Sequence, residues 1–356
     1  MSLRPNPEIN TFLISTPSRF VGEFETPDVL LTHAWPSFQG RWMQRYSPGP
    51  SSRSAYIFSF KMPYKPPQAG EIVTSYELVG GMICSYLSVL YGKRFDSHGA
   101  VQSIGTYGLP DLKEYGELVN ENLPFNSHEV RRDFAVELNL ENAKSLLPLM
   151  TGGADASVLR VFRSAAKFYH HALQAAESDP EVAYLDLVTA GEILAGFEVF
   201  SESELFDPIM LSALKKLEAC VDCSEDYSVL KRTLFQVKRR FELSILRNID
   251  DGFFIPQDDG AINFSLKKED ISQRIKAAYD LRSNYLHSGR SFGPWVAPSS
   301  SGHEVQFGKP VVDDAKFAKV LALAPTFLGL ERIIRYALLT LLQKHGVPIA
   351  VKDTVA

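Results

Sequence analysis

The stretch Ile271-Ser-Gln-Arg-Ile-Lys-Ala-Ala-Tyr-Asp-Leu-Arg-Ser-Asn-Tyr-Leu-His-Ser-Gly289 decides how the second half of the chain is read. At about 100° per residue, Ile271, Ile275, Ala278, Leu281, Tyr285 and Leu286 fall on one side of a helix. Asp280, Ser283, Asn284 and His287 fall on the other. Arg282 lies in the middle of the apolar side. A guanidinium keeps its proton, so burying it requires a carboxylate, a route to solvent or a bound anion. Glu192, on the flank of an earlier apolar stripe, is the expected carboxylate. Arg282 and His287 stand about 140° apart on an unbroken helix. Bringing them together requires the helix to distort near Gly289, or a second copy of the chain to supply the opposite motif.

Outward from this segment, helical periodicity dominates. Helices are predicted over about 157–177, 181–199, 209–219, 226–249, 269–288 and 313–345, with Pro325 kinking or splitting the last. Asp155 or Ser157 is placed to cap the first. The loop over 291–312 is long enough to be functional or mobile. The first half reads differently. Short aromatic and β-branched runs at 12–15, 19–24, 56–60, 100–104 and 134–140 predict strands. A helix is predicted over 71–91, with Gly80 and Gly81 requiring a close neighbour and Gly92 ending it. Trp35 and Trp42 are assigned to a small core. The fold class is therefore an α+β N-terminal domain, residues 1–154, followed by an all-α helical bundle, residues 155–350.

Composition limits function. The 356 residues carry 37 Lys+Arg against 42 Asp+Glu, a net charge of −5, so polyanion binding would need a local patch. Lys238-Arg-Arg240 is the densest basic cluster, read equally as a solvated face or a phosphate contact. No apolar run approaches the roughly 20 residues of a membrane span, and the N-terminus lacks a signal-like apolar region. Three cysteines suggest a reducing, cytoplasmic setting, with Cys220 and Cys223 as incidental thiols. His33, His98 and His128 lack ligand spacing, His170 and His171 point apart, and no phosphate-loop pattern occurs. No metal or cofactor is expected.

Arg282-Ser-Asn-Tyr-Leu-His287, preceded by Ala278-Tyr-Asp-Leu and followed by Ser-Gly, resembles the signature of the HEPN superfamily: Arg, four to six residues, then His at a helix end. Tyr184-Leu-Asp-Leu-Val-Thr-Ala-Gly-Glu-Ile-Leu194 is similar to an earlier helix of its ApeA-like branch, which carries a Glu at the position of Glu192. The resemblance covers about the last 200 residues. It implies a helical bundle, often a homodimer, and in many members a metal-independent endoribonuclease of toxin, antiphage or RNA-processing systems. Other members only bind RNA or nucleotides, or serve as scaffolds. Carried over, Arg282 would stabilise the phosphoryl transition state and His287 would act as general acid/base. Glu192, Asp280, Ser283 and Asn284 would support them. Active members usually place Asn, Asp or His directly after the Arg. Here that residue is Ser283, which lowers the nuclease reading.

Overall fold

A computed structural model describes residues 7–34, 53–63, 70, 75–220, 223, 227, 229–230, 234–254 and 264–351. The sheet half is built from β1 (Glu8–Thr16), β2 (Phe24–Glu25), β3 (Val29–His33), β4 (Ser54–Met62), β5 (Asp96–Ser103) and β6 (Thr106–Tyr107). They pair antiparallel in the order β2-β3-β4-β1-β5-β6. Central β1 is buried along most of its length. Phe12 sits opposite Phe58 on β4, a cross-strand aromatic pair of the kind that fixes register.

Helix α1 (Val79–Tyr91) lies on this sheet. A Cβ added at Gly80 would stand 2.4 Å from Ser97 Oγ and 2.9 Å from a ring carbon of Phe12, which is the close neighbour expected there, whereas a Cβ at Gly81 would meet nothing within 4 Å. Gly92, at φ 63°, ends α1 as expected, donating its N–H to Ser88. Residues 71–74 of the predicted helix, Trp35 and Trp42 lie outside the described residues.

Two strand expectations fail. The run 19–24 is interrupted by Gly22 at φ 71°, and only Phe24 joins a strand. The run 134–140 keeps a single bridge, Asn139 to Val21, because Phe134 adopts φ 39° and a 3-10 segment begins at Leu140. Conversely, β3 and β6 were not anticipated. β6 is only two residues long, too short to carry a period, and β3, five residues long, is held mainly by β4 more than twenty residues further on.

The helical half contains α2 (Ala156–Ala175), α3 (Pro180–Phe197), α4 (Pro208–Glu218), α5 (Val237–Arg247), α6 (Ile271–Ser288), α7 (Ala315–Leu323) and α8 (Phe327–Lys344), with short helical turns at Leu147–Thr151 and Glu202–Leu205. The Asp155 carboxylate accepts from the backbone of Ser157 and Val158 and starts α2. Pro180 occupies the first turn of α3, where its missing N–H costs nothing. Gln236 at φ 53° starts α5 at Val237, so the helix expected over 226–249 is shorter in the part described. Pro325 splits the last predicted helix into α7 and α8, and Thr326 caps the second piece.

Helices α2 and α3 pack side by side, α1 and α8 cross α2, and α5, α6 and α8 close on α3. One continuous apolar core runs from Phe12 on β1 to Ile349 beyond α8. The 291–312 segment is tied into it: Phe292, Val296 and Val305 are buried, and the Trp295 indole donates to the Leu321 carbonyl. Its Glu304 approaches α8 closely. A Cβ at Gly329 would stand 2.3 Å from the Glu304 carbonyl oxygen. Overpacking against backbone costs about 1–3 kcal/mol, more than the ~1 kcal/mol that alanine returns in helix propensity. Gly329→Ala should therefore destabilise the protein by a net of up to about 2 kcal/mol, read as a lower denaturation midpoint. An unchanged midpoint would show that the 291–312 segment yields. Among the described residues no helix is long and apolar enough to cross a membrane.

Candidate functional site

Helix α6 forms because Ile271, Ile275, Ala278 and Leu281 recur on one buried face, against α3, α5 and α7. Gly289, at φ 62°, caps its end and donates to Tyr285. Arg282 Nη2 donates to Glu192 Oε2 on α3 at 3.1 Å, the contact the helical wheel required. The pair is shielded, with side-chain exposures of 23% and 18%. Burial pushes the Glu192 carboxyl above the usual carboxylate range, and Arg282 and Tyr279 pull it part of the way back. The guanidinium carbon stands 5.8 Å from the Tyr279 ring centre, and that ring packs on Phe241 of α5. Arg282 Nε is buried without a hydrogen bond.

His287 is exposed in the last turn of α6, and its side chain has no partner among the described residues. The helix remains regular through Ser288, so it does not bend to bring the two groups together. Arg282 and His287 stay about 140° apart and about 7.5 Å apart along the axis. Asp280 is engaged by Lys238, whose ammonium lies 2.6 Å from both carboxylate oxygens. The Asn284 side-chain amide donates to the Asp280 carbonyl, and Ser283 is half-buried. The basic run at 238–240 is largely spent within the fold. Arg239 pairs with Glu242 at 2.7 Å, and Arg240 stacks on Phe235 and donates to its carbonyl.

The cysteine expectation is corrected. Cys220 and Cys223 form a disulfide. A turn closed by Cys223 N–H on the Cys220 carbonyl sets their Cα atoms 5.2 Å apart, within bonding reach. Among the described residues no group of three or more His, Cys, Asp or Glu side chains is placed to hold a metal ion. His98 is buried and paired with Ser15 Oγ at 2.7 Å, and His33 packs on Tyr56.

Sequence reasoning missed a second constellation. Glu331 and Arg335 on α8 are fully buried, Arg332 nearly so. Arg131 forks onto Glu331 at 3.0 and 2.7 Å, and the Tyr169 hydroxyl donates to the same carboxylate. Arg332 pairs with Glu304 at 2.6 Å and with Asp133 at 3.4 Å. Arg335 donates to the carbonyls of Val89 and Leu90 at the end of α1. Burial raises the Asp133 carboxyl, but Arg131, Arg335 and Arg332 more than offset this and hold it below the ordinary range. A cleft of about 470 Å³ opens beside Arg131, Glu304, Glu331 and Arg332. The available signal was Glu331-Arg-Ile-Ile-Arg335 inside a helix whose apolar residues lie on every side.

On α2, His170 is buried facing α1, with Nδ1 3.3 Å from Ser85 Oγ and Nε2 unpartnered. Burial drops its pKa to about 4, the nearby Asp96 opposing and His171 and Arg94 assisting. Its folded pKa is thus below the unfolded value of about 6.5. Above pH 6.5 both states are neutral and the contribution to stability is intact. As pH falls toward 4 the unfolded chain takes up a proton that the folded chain refuses, and stability is lost. The loss should be on the order of 3 kcal/mol across that window. His170→Gln should flatten the corresponding slope in denaturation midpoints measured from pH 7 to pH 4. A slope equal to wild type would mean the imidazole is protonated in place.

Comparisons with protein-family models, with curated proteins and with solved structures found no match.

Proposed function

We propose that this chain is a metal-independent endoribonuclease of the HEPN type that works as a homodimer, in a toxin or antiphage setting. One observation carries the reading: Arg282 is positioned by Glu192 across two helices, while His287, five residues on, is exposed and uncommitted. This is the division of labour that the Arg-x4-His resemblance implies. A neutral His287 imidazole takes the proton of an RNA 2′-hydroxyl as that oxygen attacks the adjacent phosphorus. The P–O5′ bond breaks, and the 5′ oxygen takes a proton from the imidazolium of the second copy. Arg282 holds the charge that develops on the phosphoryl oxygens. The products are a 2′,3′-cyclic phosphate and a 5′-hydroxyl. Because α6 keeps the two groups on different sides, one chain alone does not assemble this site, and a two-fold pair of chains is part of the proposal.

A second reading has its own support. Arg282 already has a partly buried carboxylate partner, so the motif could be architectural in an RNA- or nucleotide-binding scaffold that does not cleave. Incubation with total RNA in EDTA separates the two. Cleavage leaving cyclic-phosphate ends, by a protein that sediments as a dimer, supports the enzyme. A dimer that binds RNA and leaves it intact supports the scaffold.

A further inference from the structure

We propose that the exposed face of α2 is a docking track for single-stranded RNA. This rests on reading the protein as one that acts on RNA, and it names a surface that reading does not use. The twenty residues of α2 include no Asp or Glu, in a chain whose net charge is −5. Beyond its first residue, the exposed positions are Arg160, Arg163, Ser164, Lys167 and His171. Spacings of three and four residues set the cations in one line along the helix.

No carboxylate forms an ion pair with Arg160, Arg163 or Lys167 among the described residues. Arg163 makes one long contact, 3.5 Å to the Tyr86 hydroxyl. Several cations on other helices are spent: Lys238 on Asp280, Arg239 on Glu242, Arg247 on Glu198 and Glu204, Arg290 on Asp314. Lys215, Lys216, Lys316 and Lys319 also lack an ion pair among the described residues, but α4 and α7 do not line up three cations on an acid-free helix. Like charges at these spacings repel and weaken a helix, so the line stands against a local cost. From Arg160 to Lys167 the axis rises about 10 Å, enough to meet consecutive backbone phosphates.

Other occupants fit less well. A membrane-surface helix needs an apolar face to enter the lipid boundary. The apolar face of α2, with Val158, Phe162, Ala166, Tyr169 and Leu173, is already buried in the core. The far end of the track is also defined. Burial and the neighbouring Lys167 lower the His171 pKa, so three cations carry the charge at neutral pH. His171 itself borders a cleft lined by Glu114, Glu117, Glu177 and Asp186 together with Arg94, which pairs with Glu117; the excess of carboxylates would repel a phosphate chain.

The test is binding of a fluorescein-labelled 20-nucleotide oligouridylate, read by anisotropy between 50 and 200 mM KCl. The full-length His287→Ala chain is used so that cleavage does not interfere. Adding R160Q/R163Q/K167Q should weaken binding at least tenfold at 50 mM KCl. It should also reduce the slope of log K against log salt by about 2, the single-strand value for three lost phosphate contacts. The R160K/R163K pair should bind as the parent does, which separates lost charge from lost packing. An unchanged slope in the Gln triple overturns the proposal. So does loss of binding to phosphatidylserine vesicles with RNA affinity intact, which would make the face a membrane contact. Failure of the nuclease reading appears instead as intact RNA in the cleavage assay, leaving this binding measurement unaffected.

Discussion

Glu331→Ala lowers the free energy of unfolding by about 3–5 kcal/mol, the usual cost of removing one partner from a buried ion pair. Glu331 is fully buried and receives both arms of Arg131 and the Tyr169 hydroxyl. Without it, the Arg131 guanidinium keeps only the Gly92 carbonyl at 3.3 Å and Asp133 at 3.8 Å, in surroundings that leave it 7% exposed. The penalty is that of a stranded charge rather than the net value of the pair. The double variant Arg131→Met/Glu331→Leu, which removes both charges and keeps volume, should recover most of the loss. Urea midpoints at constant m read both effects. A single-variant loss below 1 kcal/mol would mean that water enters from the adjoining cleft and solvates Arg131 in place. Arg131 and Asp133 follow the sheet, Tyr169 sits on α2, and Glu331, Arg332 and Arg335 project from α8. Their pairing fixes how the sheet half seats on the bundle.

That cluster shows what the sequence hid. Arg131 and Glu331 are 200 residues apart, and no local period links them. The bundle's order and most helix ends were legible because they follow from local rules. Asp155 caps α2, Gly92 and Gly289 take left-handed caps, and Pro325 breaks the last helix. The Arg282–Glu192 pair was legible for a different reason. An arginine in an apolar stripe needs a partner, and few carboxylates flank the facing stripes. Strands were less legible because a strand exists only where a neighbour accepts its hydrogen bonds. Residues 134–140 alternate suitably and still lack such a neighbour beyond one bridge, while Val29–His33 has one in β4. The disulfide depended on a turn that C-x-x-C spacing permits without requiring.

His287→Ala should reduce RNA cleavage by about 10²–10⁴-fold, the range for loss of a positioned acid or base, with no change in the unfolding midpoint. The side chain is exposed and has no partner among the described residues, so its removal should leave their packing intact. Arg282→Ala should also abolish cleavage, but it carries a structural cost that His287→Ala lacks. It strips Glu192 of its cation in a site where burial already raises that carboxyl. Losing one charge-assisted hydrogen bond there should cost about 1–2 kcal/mol. The double variant Glu192→Ala/Arg282→Ala removes the stranded carboxylate and should regain stability without regaining activity. Stability and catalysis then part company at Arg282, which a purely architectural motif would not allow. Arg282→Lys sharpens the distinction, since an ammonium retains the charge for Glu192 but loses the planar fork suited to a phosphoryl group. If wild-type protein leaves RNA intact in every condition, Arg282 and Glu192 are a structural pair and the scaffold reading stands. If both single variants cleave as wild type does, the chemistry belongs to other residues.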